Sequence, residues 1–238
     1  MWKKPWVITQ KWEDILFLHW SVQAEELKQL IPKELELDLY ENKAWLSFVL
    51  FKVRGNRLRF TPSMLGVSSF LQLNVRTYVT YNGMKGVYFF HLDANNALIV
   101  KMTTIGQFLP YRRANMSLEN EDEIFSFVSN FRNANIQEEA LKVTFEPMTE
   151  QIENIAFDCW LVERYHLWTK MKGRLLRIDT YHSPWCLQKV NVEIHHNTMA
   201  PLLKSLTQSH QPIAHYSKSK KARIFVPVVE AEKAPSQK

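Results

Sequence analysis

The segment LQLNVRTYVTYNGMKGVYFFHLD, residues 71–93, decides the predicted fold. Two runs rich in β-branched and aromatic residues flank Asn82-Gly83, as in strands on either side of a turn. This dipeptide favours a type I′ turn, because both central residues of such a turn need positive φ. A two-residue loop places Tyr81 opposite Met84. The segment therefore predicts a β-hairpin.

The alternation of side chains along a strand divides the hairpin into two faces. One face is predicted to be core and carries Leu73, Val75, Thr77, Val79 and Tyr81 beside Met84, Gly86, Tyr88, Phe90 and Leu92. The other face is mixed and carries Gln72, Asn74, Arg76, Tyr78 and Thr80 beside Lys85, Val87, Phe89, His91 and Asp93. The register pairs three positions across this mixed face: Asn74 with His91, Gln72 with Asp93, and Arg76 with Phe89.

The mixed face has two interpretations. An antiparallel hairpin commonly turns one polar face to water. However, Tyr78, Val87 and Phe89 favour an enclosed surface, and polar groups converging among apolar walls are typical of a ligand site. The hairpin thus offers a candidate site but does not name a reaction.

Length and composition indicate one globular domain. The chain has 238 residues, 46% of them hydrophobic, which is enough for a sizeable core. An all-β barrel of this length is often a single domain. We expect one domain over residues 1–229. The remaining stretch EAEKAPSQK, residues 230–238, is charged, lacks large apolar side chains and is predicted to be disordered.

Charge and cysteine usage narrow the partners and the compartment. The formal net charge of +6 is concentrated near the end of the chain, at Lys218, Lys220, Lys221 and Arg223. No recognition motif accompanies these charges, so we expect a solvated basic segment and no nucleic-acid partner. Two cysteines without C-x-x-C spacing fit a reduced, cytoplasmic protein. The N-terminus lacks the apolar core of a signal peptide, and no apolar run is long enough for a membrane span.

Several further elements follow from periodicity and turn signals. Helices are predicted at Val22–Leu30, Asn154–Glu163 and Met199–Leu206, and a hairpin turns at Lys172-Gly173. The segment Ala97–Thr104 is predicted to be a strand. Many short strands between turns are typical of a barrel or sandwich.

Motifs for known chemistries are sparse. No nucleotide-binding or nucleophile-elbow motif is present. The adjacent pair His195-His196 would point to opposite faces of a strand, so no metal site is predicted there. The stretch FLPYRR, residues 108–113, has two interpretations. It is either a surface turn with solvated arginines, or it places Tyr111 or Arg112 at a barrel mouth, where arginine could pair bidentately with a carboxylate.

Nine segments together resemble the YqjF-like family of uncharacterised bacterial proteins. They are FLHWSV (17–22), IPKELELD (31–38), KAWLSFVLF (43–51), LNVRTYV (73–79), GVYFFHLDA (86–94), LPYRRANMS (109–117), ERYHLW (163–168), GRLLR (173–177) and HSPWCLQ (182–188). That family is placed in the acetoacetate-decarboxylase-like superfamily. The resemblance implies a mainly β (α+β) fold, a closed β-barrel or cone with a few flanking helices.

The same resemblance raises the question of whether this chain has the lysine that forms a Schiff base in the decarboxylases. In the decarboxylases a proline precedes two adjacent lysines, and the first forms a Schiff base with the keto acid. FLPYRRA resembles that stretch, with Tyr111 in the nucleophile's place and Arg112 beside it. Neither side chain forms an imine, since tyrosine has no amine and arginine stays protonated. Lys101, on the predicted strand Ala97–Thr104, is the one lysine that we identify as able to supply the amine of a Schiff base, if its side chain turned inward. Gln72 also departs from the family, where an acidic residue often stands.

We therefore expect an internal cavity that binds a small anionic or oxygen-rich metabolite without lysine Schiff-base chemistry and without a cofactor or metal. The expected ligand-binding residues are Gln72, Asn74, Arg76, Tyr78, Phe89 and Arg112. The alternative is a lyase- or hydrolase-like enzyme, with His91, Asp93 and Tyr111 as acid/base candidates. Protein–protein scaffolding is a third hypothesis, and a homo-oligomer is one alternative for the assembly.

Overall fold

A computed structural model describes residues 5–61, 66–106, 109–133, 136–153, 155–201 and 211–230. The helices in these ranges are α1 (Ala24–Leu30), α2 (Ala97–Gly106) and α3 (Ala156–Val162), and none is long and apolar enough to cross a membrane. The strands are β1 (Trp6–Val22), β2 (Glu36–Leu37), β3 (Ala44–Leu58), β4 (Ser69–Tyr81), β5 (Met84–Ala94), β6 (Tyr111–Arg113), β7 (Asn115–Glu121), β8 (Ile124–Asn133), β9 (Ile136–Gln151), β10 (His166–Met171), β11 (Arg174–Tyr181), β12 (Gln188–Asn197), β13 (Ile213–Phe225) and β14 (Val228–Val229).

Seven strands close into a ring. The order is β11-β10-β5-β4-β3-β1-β13, and β13 pairs back onto β11 to complete it. Neighbours in the ring are antiparallel except for the parallel contact between β10 and β5. From β13 the sheet continues outward as β12-β9-β8-β7. The predicted mainly β, closed fold with a few helices is confirmed.

The central strands of the ring are buried on both faces. Inside the ring, Phe17, Val49 and Phe89 belong to one apolar cluster. On the outer face of the same strands, Leu16, Leu18, Leu46 and Phe48 pack in a second cluster with residues of the outward extension. Strands that face apolar surroundings on both sides carry continuous rather than alternating apolar runs. This explains the runs ILFL at 15–18 and WLSFVLF at 45–51.

The β4–β5 hairpin has the predicted turn but only part of the predicted register. Asn82 and Gly83 have φ of 49° and 76°, and Tyr81 pairs with Met84. The alignment holds as far as Arg76, which faces Phe89.

Beyond Arg76 the predicted pairing of the hairpin is wrong. A bulge inserts Phe90 as an extra residue in β5, so that Val75 pairs with His91. Asn74 then faces Leu92, and Gln72 faces Ala94. One extra residue reverses the alternation of every later side chain in β5. His91 and Asp93 therefore lie on the opposite face of the hairpin from Gln72 and Asn74.

The segment predicted as the strand Ala97–Thr104 is the helix α2. Its β-branched residues suggested a strand, but the Asn96 side chain accepts hydrogen bonds from the amides of Leu98 (3.0 Å) and Ile99 (3.1 Å). This is the N-cap arrangement that satisfies free amides at a helix start. Lys101 is consequently exposed on a helix instead of lying on a strand.

Other predicted boundaries differ from the structure at both termini of the chain. Strand β1 extends over seventeen residues near the N-terminus, a segment for which the sequence predicted no strand. Residues 202–206 of the predicted helix Met199–Leu206 lie outside the described residues, as do residues 231–238 of the predicted tail. Glu230, assigned to that tail, belongs to the fold, since its amide donates to the Leu175 carbonyl oxygen at 2.9 Å.

Gly86 provides a test of the contact between β5 and β10. A Cβ at this position would lie 2.1 Å from the His166 carbonyl oxygen and 2.4 Å from Cζ3 of the buried Trp168. We expect Gly86→Ala to lower the free energy of unfolding by about 1–3 kcal/mol or more, because overpacking forces backbone shifts. Denaturant titration measures this change. The control Gly83→Asn meets nothing within 4 Å, and its positive φ of 76° is one that Asn adopts more readily than other side chains, so a loss as large as that of Gly86→Ala would contradict the packing explanation.

Candidate functional site

A cavity of about 80 Å³ lies inside the ring of strands. Strand β4 supplies its polar wall, because Gln72, Asn74 and Arg76 occupy alternate positions and point to the same side. The remaining wall is largely aromatic and includes Trp12, Phe17, Phe51, Phe89 and Trp185. A few polar groups among apolar walls are the usual composition of a small-molecule site.

Tyr111 joins this wall from β6. It pairs with Leu92 of β5, and its hydroxyl donates to Oε1 of Gln72 at 2.9 Å. Nε2 of Gln72 in turn donates to Oδ1 of Asn74 at 2.6 Å. Burial raises the pKa of the Tyr111 phenol. Tyr111 is therefore a neutral hydrogen-bond donor at physiological pH.

Arg76 is the unusual group of the cavity. It is only 7% exposed, and its Nε and Nη2 atoms have no hydrogen-bond partner. No carboxylate of the described residues lies within ion-pair distance of it. Burial lowers the pKa of its guanidinium, the neighbouring Arg164 lowers it further, and Tyr78 opposes both effects. A buried charge without a counterion is costly, which makes this group a candidate ligand contact.

Arg164 is a second arginine in the cavity wall. It follows α3 and is 4% exposed, with Nη1 donating to Oδ2 of Asp38 at 2.5 Å and Nε donating to the Trp160 carbonyl oxygen at 2.7 Å. Its Nη2 atom has no partner. One side of this guanidinium is thus fixed by the protein, while the other side is free to donate.

Tyr78 lies behind the polar wall instead of lining the cavity. It is fully buried, and its hydroxyl shares a 2.8 Å hydrogen bond with Nδ1 of His19. Its ring packs on Trp160 with centroids 4.6 Å apart, and the Arg164 guanidinium lies 4.9 Å from its centroid. Tyr78 therefore supports the arginines from the core.

Three of the candidate residues lie on the outer face of the hairpin. Because of the bulge in β5, His91 and Asp93 point away from the cavity. Arg112 of β6 pairs with Asp93 of β5 and lies on the same outer face. Nε and Nη2 of Arg112 donate to Asp93 at 2.8 Å and 3.1 Å, and Nη2 lies 2.9 Å from Oε2 of Glu139. Nδ1 of His91 lies 3.1 Å from Oδ1 of Asp93.

His91, Asp93, Arg112 and Glu139 form an ion cluster in which Arg112 lies within ion-pair distance of both carboxylates, although Oε2 of Glu139 accepts no hydrogen bond. Burial alone would raise the pKa of Asp93, but hydrogen bonds and charge from His91 and Arg112 outweigh it and leave the pKa lowered. A carboxyl with a lowered pKa stabilises the fold above its unfolded pKa and loses that contribution as pH falls. The structure thus brings Gln72, Asn74, Arg76, Phe89 and Tyr111 together in the cavity and separates them from His91, Asp93 and Arg112.

Arg112→Met tests the structural role of the ion cluster. The substitution leaves Asp93, which is fully buried, and Glu139 without their guanidinium, and we expect a loss of about 3–5 kcal/mol at neutral pH. The difference from the unsubstituted protein should shrink toward about pH 3, since a protonated carboxyl needs no cation. Urea titrations at both pH values measure it.

The matched control for that variant is Arg132→Met, which removes an exposed partner of Glu138. We expect little change in stability from it, because exposed ion pairs contribute little. An Arg112→Met variant as stable as this control would contradict the role given to the cluster.

Sequence reasoning missed several residues of the cavity. Arg164, Thr180 and His182 line it, together with Trp12 and Trp185. Arg164 stands in the matched segment ERYHLW, but no spacing relates it to the hairpin. Its position depends on how α3 and the following residues pack against the ring, which is a tertiary contact.

The architecture is an acetoacetate-decarboxylase-like fold, as comparisons with solved structures show. An acetoacetate decarboxylase-like enzyme from Sphingomonas wittichii RW1 superposes with a TM-score of 0.65 at 10% identity, covering 95% of this chain and 94% of that one. The enduracididine biosynthesis enzyme MppR complexed with pyruvate gives 0.63 at 10% identity, covering 96% and 91%. Acetoacetate decarboxylase from Legionella pneumophila gives 0.62 at 12% identity, covering 97% and 90%.

Sequence comparison then identifies the family. The model of DUF2071, described as an uncharacterized conserved protein, matches residues 9–221. The uncharacterized protein YqjF of Bacillus subtilis (strain 168) is 37% identical over 225 residues, which are 94% of this chain and 92% of that protein. The chain belongs to the DUF2071 family, and the resemblance to YqjF-like proteins is confirmed.

Proposed function

We propose that this protein binds a small anionic or oxygen-rich metabolite, best exemplified by a carboxylate, in the cavity of the ring. Arg76 is the charge partner, and Gln72, Asn74 and Tyr111 supply hydrogen bonds. The observation that carries the proposal is the buried guanidinium of Arg76. Its Nε and Nη2 atoms lack partners, and no described carboxylate pairs with it.

The chemistry of two neighbouring arginines supports an anion. Arginine presents its donors in a planar fork that matches carboxylate oxygens bidentately. The free Nη2 atoms of Arg76 and Arg164 both belong to residues that line the cavity. The structural neighbour MppR, complexed with pyruvate, provides a precedent for a carboxylate ligand in a protein of this fold.

The alternative enzyme hypothesis needs His91, Asp93 and Tyr111 to act on one ligand. Tyr111 lines the cavity, while His91 and Asp93 point to the other side of the hairpin and are engaged by Arg112. Burial also keeps the Tyr111 phenol protonated. These distances and charges favour binding as the proposed function, and we assign no reaction to the three residues.

Arg76→Leu tests the proposed anion site. Without ligand, the variant should be at least as stable as the unsubstituted protein, because an uncompensated buried charge is removed. Its affinity for small carboxylates should fall by roughly 2–5 kcal/mol, the usual effect of truncating one partner of a buried charge pair. Thermal unfolding with and without a panel of carboxylates measures both quantities.

A second variant and two possible outcomes complete that experiment. Arg76→Lys keeps the charge but loses the planar fork of donors, so it should be about as stable as the unsubstituted protein and bind carboxylates with only part of its affinity. A strong destabilisation of Arg76→Leu without ligand would indicate a carboxylate partner within the chain. Absence of any stabilisation of the unsubstituted protein by anions would overturn the proposed function.

The proposed absence of imine chemistry has its own test. Lys101 is exposed on α2. The buried Lys220 donates from Nζ to the Pro184 carbonyl oxygen at 2.6 Å and lies 5.4 Å from the Trp185 ring centroid. We expect borohydride reduction in the presence of acetoacetate to leave the protein mass unchanged. A reduced adduct that disappears in Lys220→Arg would contradict this and identify the reactive lysine.

A further inference from the structure

A second cavity adjoins the one that contains Arg76. Its volume is about 290 Å³, against about 80 Å³ for the first. Five residues line both spaces: Gln10, Leu109, Tyr111, Ile178 and Ile224. The two spaces are therefore neighbouring chambers that share these lining residues, and we call the larger one the apolar chamber.

Within the part of the chain that the structure describes, Arg57 is the one charged side chain that lines the apolar chamber; it is exposed, and its Nε donates to Oγ1 of Thr9 at 3.3 Å. The uncharged polar groups of the chamber are engaged by other residues. Gln10 bonds to Asn56 at 2.9 Å, and the Asn56 amide donates to the Val67 carbonyl oxygen. Thr103 donates to carbonyl oxygens of its own helix, and Tyr111 donates to Gln72 outside the chamber. Among the described residues, the buried side-chain atoms without partners include none from this chamber.

The two chambers thus differ in the chemistry that they can bind. The smaller chamber contains the free guanidinium atoms of Arg76 and Arg164. The larger chamber is lined mainly by aliphatic and aromatic side chains such as Ile8, Phe70, Ile99 and Met102. A space of this kind stays dry or takes up apolar molecules, because a bound water needs two to four polar partners.

Volumes and spacing favour a ligand that occupies both chambers. A single water requires roughly 10–15 Å³, so the smaller chamber has room for a carboxylate and few further atoms. Arg76 and Gln72, the residue that Tyr111 bonds, lie four residues apart on β4, which is roughly 13 Å of backbone at about 3.3 Å per strand residue. The long side chains of Arg76 and Tyr111 shorten this path, so a carboxylate on Arg76 needs an alkyl chain of medium length to reach the apolar chamber.

Resting on the proposed function, we propose that the ligand is a monocarboxylate with an extended apolar tail, such as a medium-chain acid. The carboxylate lies against Arg76, and the tail passes Tyr111 and Leu109 into the apolar chamber. Short keto acids fill only the smaller chamber and leave the apolar chamber empty.

Calorimetric titration of the full chain with acetate, butanoate, octanoate and decanoate tests the tail. We expect affinity to rise about fourfold for each added methylene, the increment expected for a buried methylene. Octanol should bind far more weakly than octanoate. In Arg76→Leu, octanoate should lose its advantage over octanol, since the charge that selects the carboxylate is gone.

Two substitutions on α2 locate the tail. Met102 lines the apolar chamber and is 42% exposed, so Met102→Trp can fill the chamber without disturbing a fully buried position. It should lower octanoate affinity at least tenfold and leave butanoate affinity unchanged, which also shows that the variant is folded. Leu98 is 45% exposed on the same helix and does not line the chamber, so Leu98→Trp should change neither affinity.

The outcomes separate this inference from the proposed function. If short acids bind as tightly as octanoate, the tail assignment is overturned while the anion site stands. If no carboxylate binds, both are overturned. If octanoate binds equally well to Arg76→Leu and to the unsubstituted protein, the orientation of the ligand is overturned.

Discussion

A guanidinium enclosed by strands, away from water and from every carboxylate that the structure describes, dominates the energetics of this cavity. Arg76 is only 7% exposed, and two of its nitrogen atoms lack hydrogen-bond partners. Such a charge destabilises the fold by several kcal/mol unless something compensates it. The aromatic walls, the neighbouring Arg164 and the Gln72–Asn74 chain all surround this group. An anion is the simplest compensation that leaves the surrounding packing unchanged.

Arg112 and Arg76, which lie on opposite faces of the sheet, differ in whether a carboxylate of the described residues pairs with them. On the outer face, Arg112 contacts Asp93 and Glu139, so its charge is neutralised within the chain. On the inner face, Arg76 has no such partner among the residues described. Tyr111 and Arg112 are adjacent in sequence, yet alternation along β6 sends one to the cavity and the other to the ion cluster. Arg112 is therefore neutralised within the chain, whereas Arg76 keeps two unpartnered donors, on which the proposed anion site rests.

The local chemistry of the sequence predicts the turn but not the whole site. Asn82-Gly83 fixes the hairpin, and alternation correctly groups Gln72, Asn74 and Arg76 on one face. The bulge at Phe90 has no signal in the alternation, so His91 was assigned to the wrong face. The prediction of a closed ring rested on the resemblance to a known family, since pairing between strands that are distant in sequence leaves no periodic signal. The same limit applies to Arg164, which only the packing of α3 brings to the cavity.

A crystal structure grown with an ω-bromo derivative of octanoate tests the central claim most directly. The account predicts carboxylate density within hydrogen-bond distance of Nε and Nη2 of Arg76, and an anomalous bromine peak in the chamber beside Met102 and Ile99. An empty cavity with Arg76 paired to a carboxylate of the chain would contradict it. Bromine density confined to the protein surface would contradict it as well.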